Sequence, residues 1–279
     1  VSECMVLNWS LRRNFDKLDM LTDHERARLD QILPPLEEAN AYLSMIRGVI
    51  SLGAPKFFEK LTHPIFPSSL WLNHLSRILR LRNVPLRESI WFLTRLPGIR
   101  TGTKMVFNTN VAGLNPLISP QNHKNDKEFI MEYLRACGES FPLGLGFQFL
   151  KAIYNGEGFK RMDETRLNYS KLVPFFPPEL PIFHFWGTED PLSPPTNLRF
   201  SKSYPHRNQQ VHHILGAGDL SQVAISTERS QSFDFVVEGA NHLDLLYGKK
   251  AEQVVLPLII RAIRQVWAGW RYPKEQQAA

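Results

Sequence analysis

The chain has 279 residues, 43% of them apolar, and a formal net charge of +6 from 33 basic and 27 acidic side chains. That apolar fraction excludes a disordered polymer, and the length suffices for one large domain or for a domain carrying a cap. The charge is modest and the arginines are spread without aromatic interleaving, so no nucleic acid is expected as a partner.

No apolar run approaches the roughly eighteen residues of a membrane span. The longest stretch near the end is interrupted by Pro257, so no transmembrane segment is expected. Two cysteines, Cys4 and Cys137, give neither a disulfide framework nor a metal-ligand spacing, which permits a reducing compartment such as the cytoplasm. No signal-peptide pattern opens the chain. It begins with valine, so it reads as part of something longer, with its targeting not legible.

Residues 1–22 carry no clear period, and Met5 to Trp9 is the one candidate for an early strand. Thr22 or Asp23 caps a helix that Pro34-Pro35 ends, and 36–45 forms a second helical piece. The β-branched run 46–55 then reads as a strand closed by Gly53-Ala54-Pro55, with a parallel neighbour implied upstream. Residues 56–165 change character, with arginine-rich amphipathic segments beginning at Leu70, Leu86 and Lys127 between proline and glycine turns. This pattern predicts a helical insertion. Placed between sheet strands, it caps the sheet's C-terminal edge, and Trp71, Trp91, Phe92, Phe107 and Phe147 either line the cavity beneath or pack helix against helix.

The stretch Ile182-Phe-His-Phe-Trp-Gly-Thr-Glu-Asp-Pro predicts a buried strand that stops at Gly187 and presents Glu189 and Asp190 in the loop beyond. A helix with proline in its first turn follows at Pro195, and 211–230 reads as a loose polar loop. A second strand over 233–238 ends in Gly239-Ala-Asn-His242, and 249–267 is the last helix, with Val254, Val255, Leu258, Ile259, Ala262, Ile263 and Val266 at helical spacing. In open α/β sheets, ligands and catalysis collect at the edge where these two loops lie. Asp190 is preferred to Glu189 because only one of two adjacent acids turns toward the neighbouring loop. The plainer readings are a solvated turn carboxylate and a satisfied structural histidine. Asp244 and Glu238 are also near enough to pair with His242, and His184, on the strand itself, reads as a core residue.

From about residue 46 onward the chain resembles the C-terminal half of an α/β-hydrolase-fold protein, nearest in character to lipases and esterases. The resemblance is carried by Val49-Ile-Ser-Leu-Gly-Ala-Pro, Phe185-Trp-Gly-Thr-Glu-Asp-Pro and Gly239-Ala-Asn-His-Leu-Asp. It implies an α/β fold with a partial parallel sheet: residues 1–55 and 166–279 form the core and 56–165 the cap. It also implies a serine-hydrolase relay in which Asp190 is the acid and His242 the base, acting on lipophilic acyl esters without cofactor or metal. The family's nucleophile stands in Gly-x-Ser-x-Gly, and that motif occurs nowhere in the chain. Ser10 has no flanking glycines, Ser51 sits inside a strand, and Ser140 follows a helix with Pro142 where a glycine belongs. The alternative is therefore an inactive member of this fold that binds a hydrophobic ligand or a protein partner. Peripheral membrane contact through the cap and self-association through an open, apolar strand edge are further expectations, the latter also because helix 23–45 is expected to present an apolar side without a partner.

Overall fold

The computed structural model describes residues 2–19, 21–53, 83–84, 141–142, 152, 172–190, 193–225 and 231–268. Three helices come first: α1 (Ser2–Arg13), α2 (Asp23–Ile32) and α3 (Leu36–Met45). They lead into β1 (Val49–Leu52). A two-residue antiparallel ladder, β2 (Asn83–Val84) with β3 (Phe141–Pro142), comes next in sequence. Then follow β4 (Ile182–Gly187), a short helix α4 (Leu198–Ser201), β5 (Asn208–Ile214), β6 (Gln231–Val237) and the last helix α5 (Leu256–Ala268). The class is α/β, as expected. β1, β4, β6 and β5 lie in that order in one sheet, every neighbouring pair parallel. The expected cap over 56–165, with its five named aromatics, falls outside the described residues apart from β2, β3 and Ala152.

β4 and β6 are buried at every position, as central strands of a parallel sheet covered on both faces must be. The two faces are distinct. Phe183, Phe185, Phe233 and Phe235 form a core with Val254, Val255, Leu258 and Ala262, and Phe183 stacks on Phe233 with ring centroids 5.1 Å apart. On the other face Ile182 joins Leu172, Phe176 and Tyr204 in a core that extends through all three N-terminal helices.

Two expectations for the N-terminal part fail. Met5 to Trp9 lies within α1, where Val6, Leu7, Ser10 and Leu11 are buried at the spacing of one helix face. The apolar side of 23–45 does have a partner: Leu29, Leu33 and Leu43 pack against Val6, Leu7 and Leu11 of α1. Arg12 fastens the arrangement, donating to the carbonyls of Asp30, Leu33 and Pro34 at 2.8, 3.0 and 2.7 Å, the orphan acceptors at the end of α2. At the other end of α2, Thr22 and Glu25 form a reciprocal capping box.

A third expectation fails at 211–230. Residues 208–214 form edge strand β5, paired to β6 along its whole length, and Ala217–Gln222 is a 3-10 turn. The sequence Asn-Gln-Gln-Val-His-His-Ile has no apolar alternation, because an edge strand buries little and is held by its backbone ladder. The last helix is as expected in position, but Ala251–Val255 is a π-helical turn that leads into α5. Ile263, expected to dock, is 42% exposed.

Candidate active site

The loops after β4 and β6 are stitched together before any reactive side chain is placed. Thr188 N–H donates to the Val237 carbonyl at 3.2 Å, Glu189 N–H to the Ala240 carbonyl at 3.1 Å, and Gly239 N–H to Thr188 Oγ1 at 2.8 Å. Gly187 makes this crossing possible, since a Cβ there would overlap the Ala240 carbonyl. Gly239 turns the chain with φ +65, a left-handed conformation that glycine adopts freely.

This frame separates the two acids. Glu189 is exposed, whereas Asp190 turns inward and its side chain is fully buried. Ser193 N–H donates to Asp190 Oδ1 at 2.9 Å, and Asp190 Oδ2 stands 2.9 Å from His242 Nδ1. The carboxylate is thus held by the Ser193 amide and directs its second oxygen at the imidazole, whose side chain remains 24% exposed.

His242 sits on a tight turn. Asp244 N–H donates to the Asn241 carbonyl at 3.1 Å, while the Asp244 carboxylate accepts the Asn241 N–H at 3.0 Å. Asp244, flagged in the sequence as able to reach His242, is fully buried and bonds back to this backbone amide, closing the turn that presents the histidine. Glu238 is exposed.

The structure therefore brings Asp190 and His242 together at the C-terminal ends of adjacent parallel strands. His184 is in the core, with Nδ1 3.2 Å from Asp234 Oδ1 but off the line that a hydrogen bond needs. Sequence reasoning did not identify Ser193 as the amide behind Asp190, or Asp244 as the clamp of the histidine turn. The Asp three residues after Asn241 is the local signal for such a clamp, a short acid reaching back to an amide. Among the described residues, no group of acidic, histidine or cysteine side chains could hold a metal ion, and no helix is long and apolar enough to cross a membrane.

No family model matches the sequence, and no curated protein matches it. Among solved structures, a thermophilic esterase from Thermogutta terrifontis, with malate bound, aligns over 83% of this chain and 61% of its own, at 17% identity and a TM-score of 0.37. VinJ aligns over 78% of this chain and 58% of its own, at 14% identity and a TM-score of 0.30. The chain thus spans about three fifths of the length of these solved structures.

Proposed function

We propose that this chain is a hydrolase-type protein in which Asp190 orients His242 as the general base for cleavage of lipophilic acyl esters. The observation that supports this reading is the 2.9 Å contact between Asp190 Oδ2 and His242 Nδ1. A buried carboxylate that accepts the Nδ1 proton fixes the imidazole tautomer and leaves Nε2 as the basic nitrogen. That nitrogen takes the proton of an attacking hydroxyl and returns it to the departing alcohol, steps worth about 10²–10⁴ in rate in comparable enzymes. The low dielectric around Asp190 strengthens its hold on the imidazolium that forms between the two transfers.

The resemblance supplies a serine as nucleophile, but the chain contains no Gly-x-Ser-x-Gly, and no serine is assigned that role. The same absence favours a second reading, an inactive protein of α/β-hydrolase type that binds a hydrophobic ligand or a protein partner. Both readings place 56–165 as a helical cap between core segments 1–55 and 166–279, with peripheral membrane contact through the cap and self-association as further proposals. Supporting self-association, β1 has one partner strand among the described residues, and Leu256, Ile260 and Ile263 are exposed along α5.

Covalent labelling with a long-chain fluorophosphonate separates the two. The hydrolase reading expects one serine to be labelled in the wild type and spared in Asp190→Asn and His242→Gln, which would also locate a nucleophile outside the usual motif. An unlabelled chain that binds a long-chain alkyl ester saturably, and equally well as His242→Gln, overturns that reading in favour of the second.

A further inference from the structure

The contact between Asp190 and His242 is made by β4 and β6, yet a third strand walls it. β1 is followed by Gly53, whose N–H donates to the Phe185 carbonyl at 2.9 Å and so carries the β1–β4 ladder one residue further. Its φ is +52. A Cβ at this position would lie 3.1 Å from His242 Nδ1 and 3.2 Å from Asp190 Oδ2, the two atoms of the contact, and 3.3 Å from His242 Cε1. These approaches are tighter than an ordinary Cβ contact, so a neighbour would have to give by a few tenths of an ångström.

We infer that Gly53 is a positioning residue of the Asp190–His242 pair, its bare α-carbon forming the wall against which carboxylate and imidazole are seated in line. Any catalytic consequence rests on the acid–base reading above, but the geometric content does not. Of the three groups that meet here, two are fixed. Residue 53 is tied to β4 by its amide, and Asp190 is buried and held by Ser193 N–H. The imidazole, partly open to solvent, is the group free to give way. A side chain at residue 53 therefore presses His242 away from the carboxylate and lengthens the contact by a few tenths of an ångström. Steric volume alone, with no change of charge or hydrogen-bonding group, is enough to loosen the pair.

A second glycine separates this effect from backbone strain. Gly239 has the same left-handed demand, with φ +65, but a Cβ there would meet nothing within 4 Å. The test is the Nδ1–H resonance of His242 in the full chain with isotope-labelled histidine, assigned by its disappearance in His242→Gln. In the wild type one protected Nδ1–H signal is expected. It should move upfield and exchange faster with water in Gly53→Ala and stay unchanged in Gly239→Ala, with the remaining histidine signals unmoved in both. Gly53→Asn adds the same Cβ in a residue that tolerates left-handed backbone better, so it keeps the question answerable if the alanine variant does not fold. Its signal should move in the same way. A signal unmoved in Gly53→Asn, or moved equally in Gly239→Ala, overturns the inference. Failure of fluorophosphonate labelling bears on the acid–base reading alone, since the resonance reports the contact whether or not any ester is turned over.

Discussion

β4 and β6 hold two histidine–aspartate pairs, with the donors reversed. Within the sheet, His184 of β4 faces Asp234 of β6 at a paired register position, both side chains 1% exposed. Beyond the strand ends the acid follows β4 and the histidine follows β6, and only there does the imidazole reach solvent. The same two side-chain types thus give a brace in one place and a candidate acid–base pair in the other. What differs is the surroundings. His184 is enclosed by the rings of Trp186 and Tyr204, with centroids 5.5 and 5.2 Å away, and Asp234 Oδ1 also accepts from Trp186 Nε1 and Ser201 Oγ at 2.8 Å each. Asp190 accepts from the Ser193 amide and meets an imidazole that has an open side. The two pairs differ in where they stand relative to the strand ends, not in which residue types pair.

The comparison breaks most readily at Asp234. Asp234→Ala removes the acceptor of Trp186 and Ser201 together with the partner of His184, all inside the core. Removing one member of a buried pair costs about 3–5 kcal/mol. Chemical denaturation should show a loss of that order. A loss below about 1 kcal/mol, the net worth of one ordinary hydrogen bond, would show that the cluster is not a brace.

The dependence on acid sharpens it further. Burial raises the Asp234 carboxyl, but the neighbouring His184, together with the hydrogen bonds from Trp186 and Ser201, outweighs burial and holds it below the ordinary aspartate range. Its contribution to stability is therefore complete above the unfolded value of about 4 and is lost as the pH falls through the lower, folded one. Another step comes earlier. Burial lowers His206, only partly offset by its contact with the Leu180 carbonyl, and burial lowers His212 as well. With folded values depressed, the unfolded chain binds protons first, so stability should begin to fall below about pH 6.5. Urea midpoints at several pH values should show this decline and a shallower one in His206→Gln. A flat profile between about pH 7.5 and 5.5 would sink the assignment.

How much of this was legible in the sequence depends on whether the signal was local. β4 and β6 were readable because aromatic and β-branched runs end in glycine, and the same punctuation marked Asp190 and His242 as loop residues. α1 was not, because Ser10 interrupts its buried face. That serine is satisfied by donating to the Phe175 carbonyl, 165 residues away. β5 was hidden because a polar edge strand is defined by its ladder to β6 and not by its side chains. Gly53 was visible as the end of a strand, but its role as a wall exists only once three strands are in register. The choice of Asp190 over Glu189 rested on the argument that one acid alone can turn inward, and the structure shows which: Glu189 is exposed and Asp190 is not.

The smallest change in stability is expected at the residue proposed as the base. His242→Gln removes an imidazole that is partly open to solvent and that, among the described residues, meets the Asp190 carboxylate. Glutamine offers an amide N–H that can donate to the same carboxylate oxygen, so Asp190 need not be left as an unpaired buried charge. One neutral donor to the carboxylate exchanged for another should alter stability by less than about 1 kcal/mol, against several for Asp234→Ala. Denaturation midpoints of the two variants measured side by side decide the matter. If His242→Gln proves as damaging as Asp234→Ala, the pair at the strand ends is a second structural brace, and its proximity to solvent is no reason to assign it chemistry. If it is nearly silent while fluorophosphonate labelling is lost, the imidazole is held for what it does to a proton and not for what it adds to the fold.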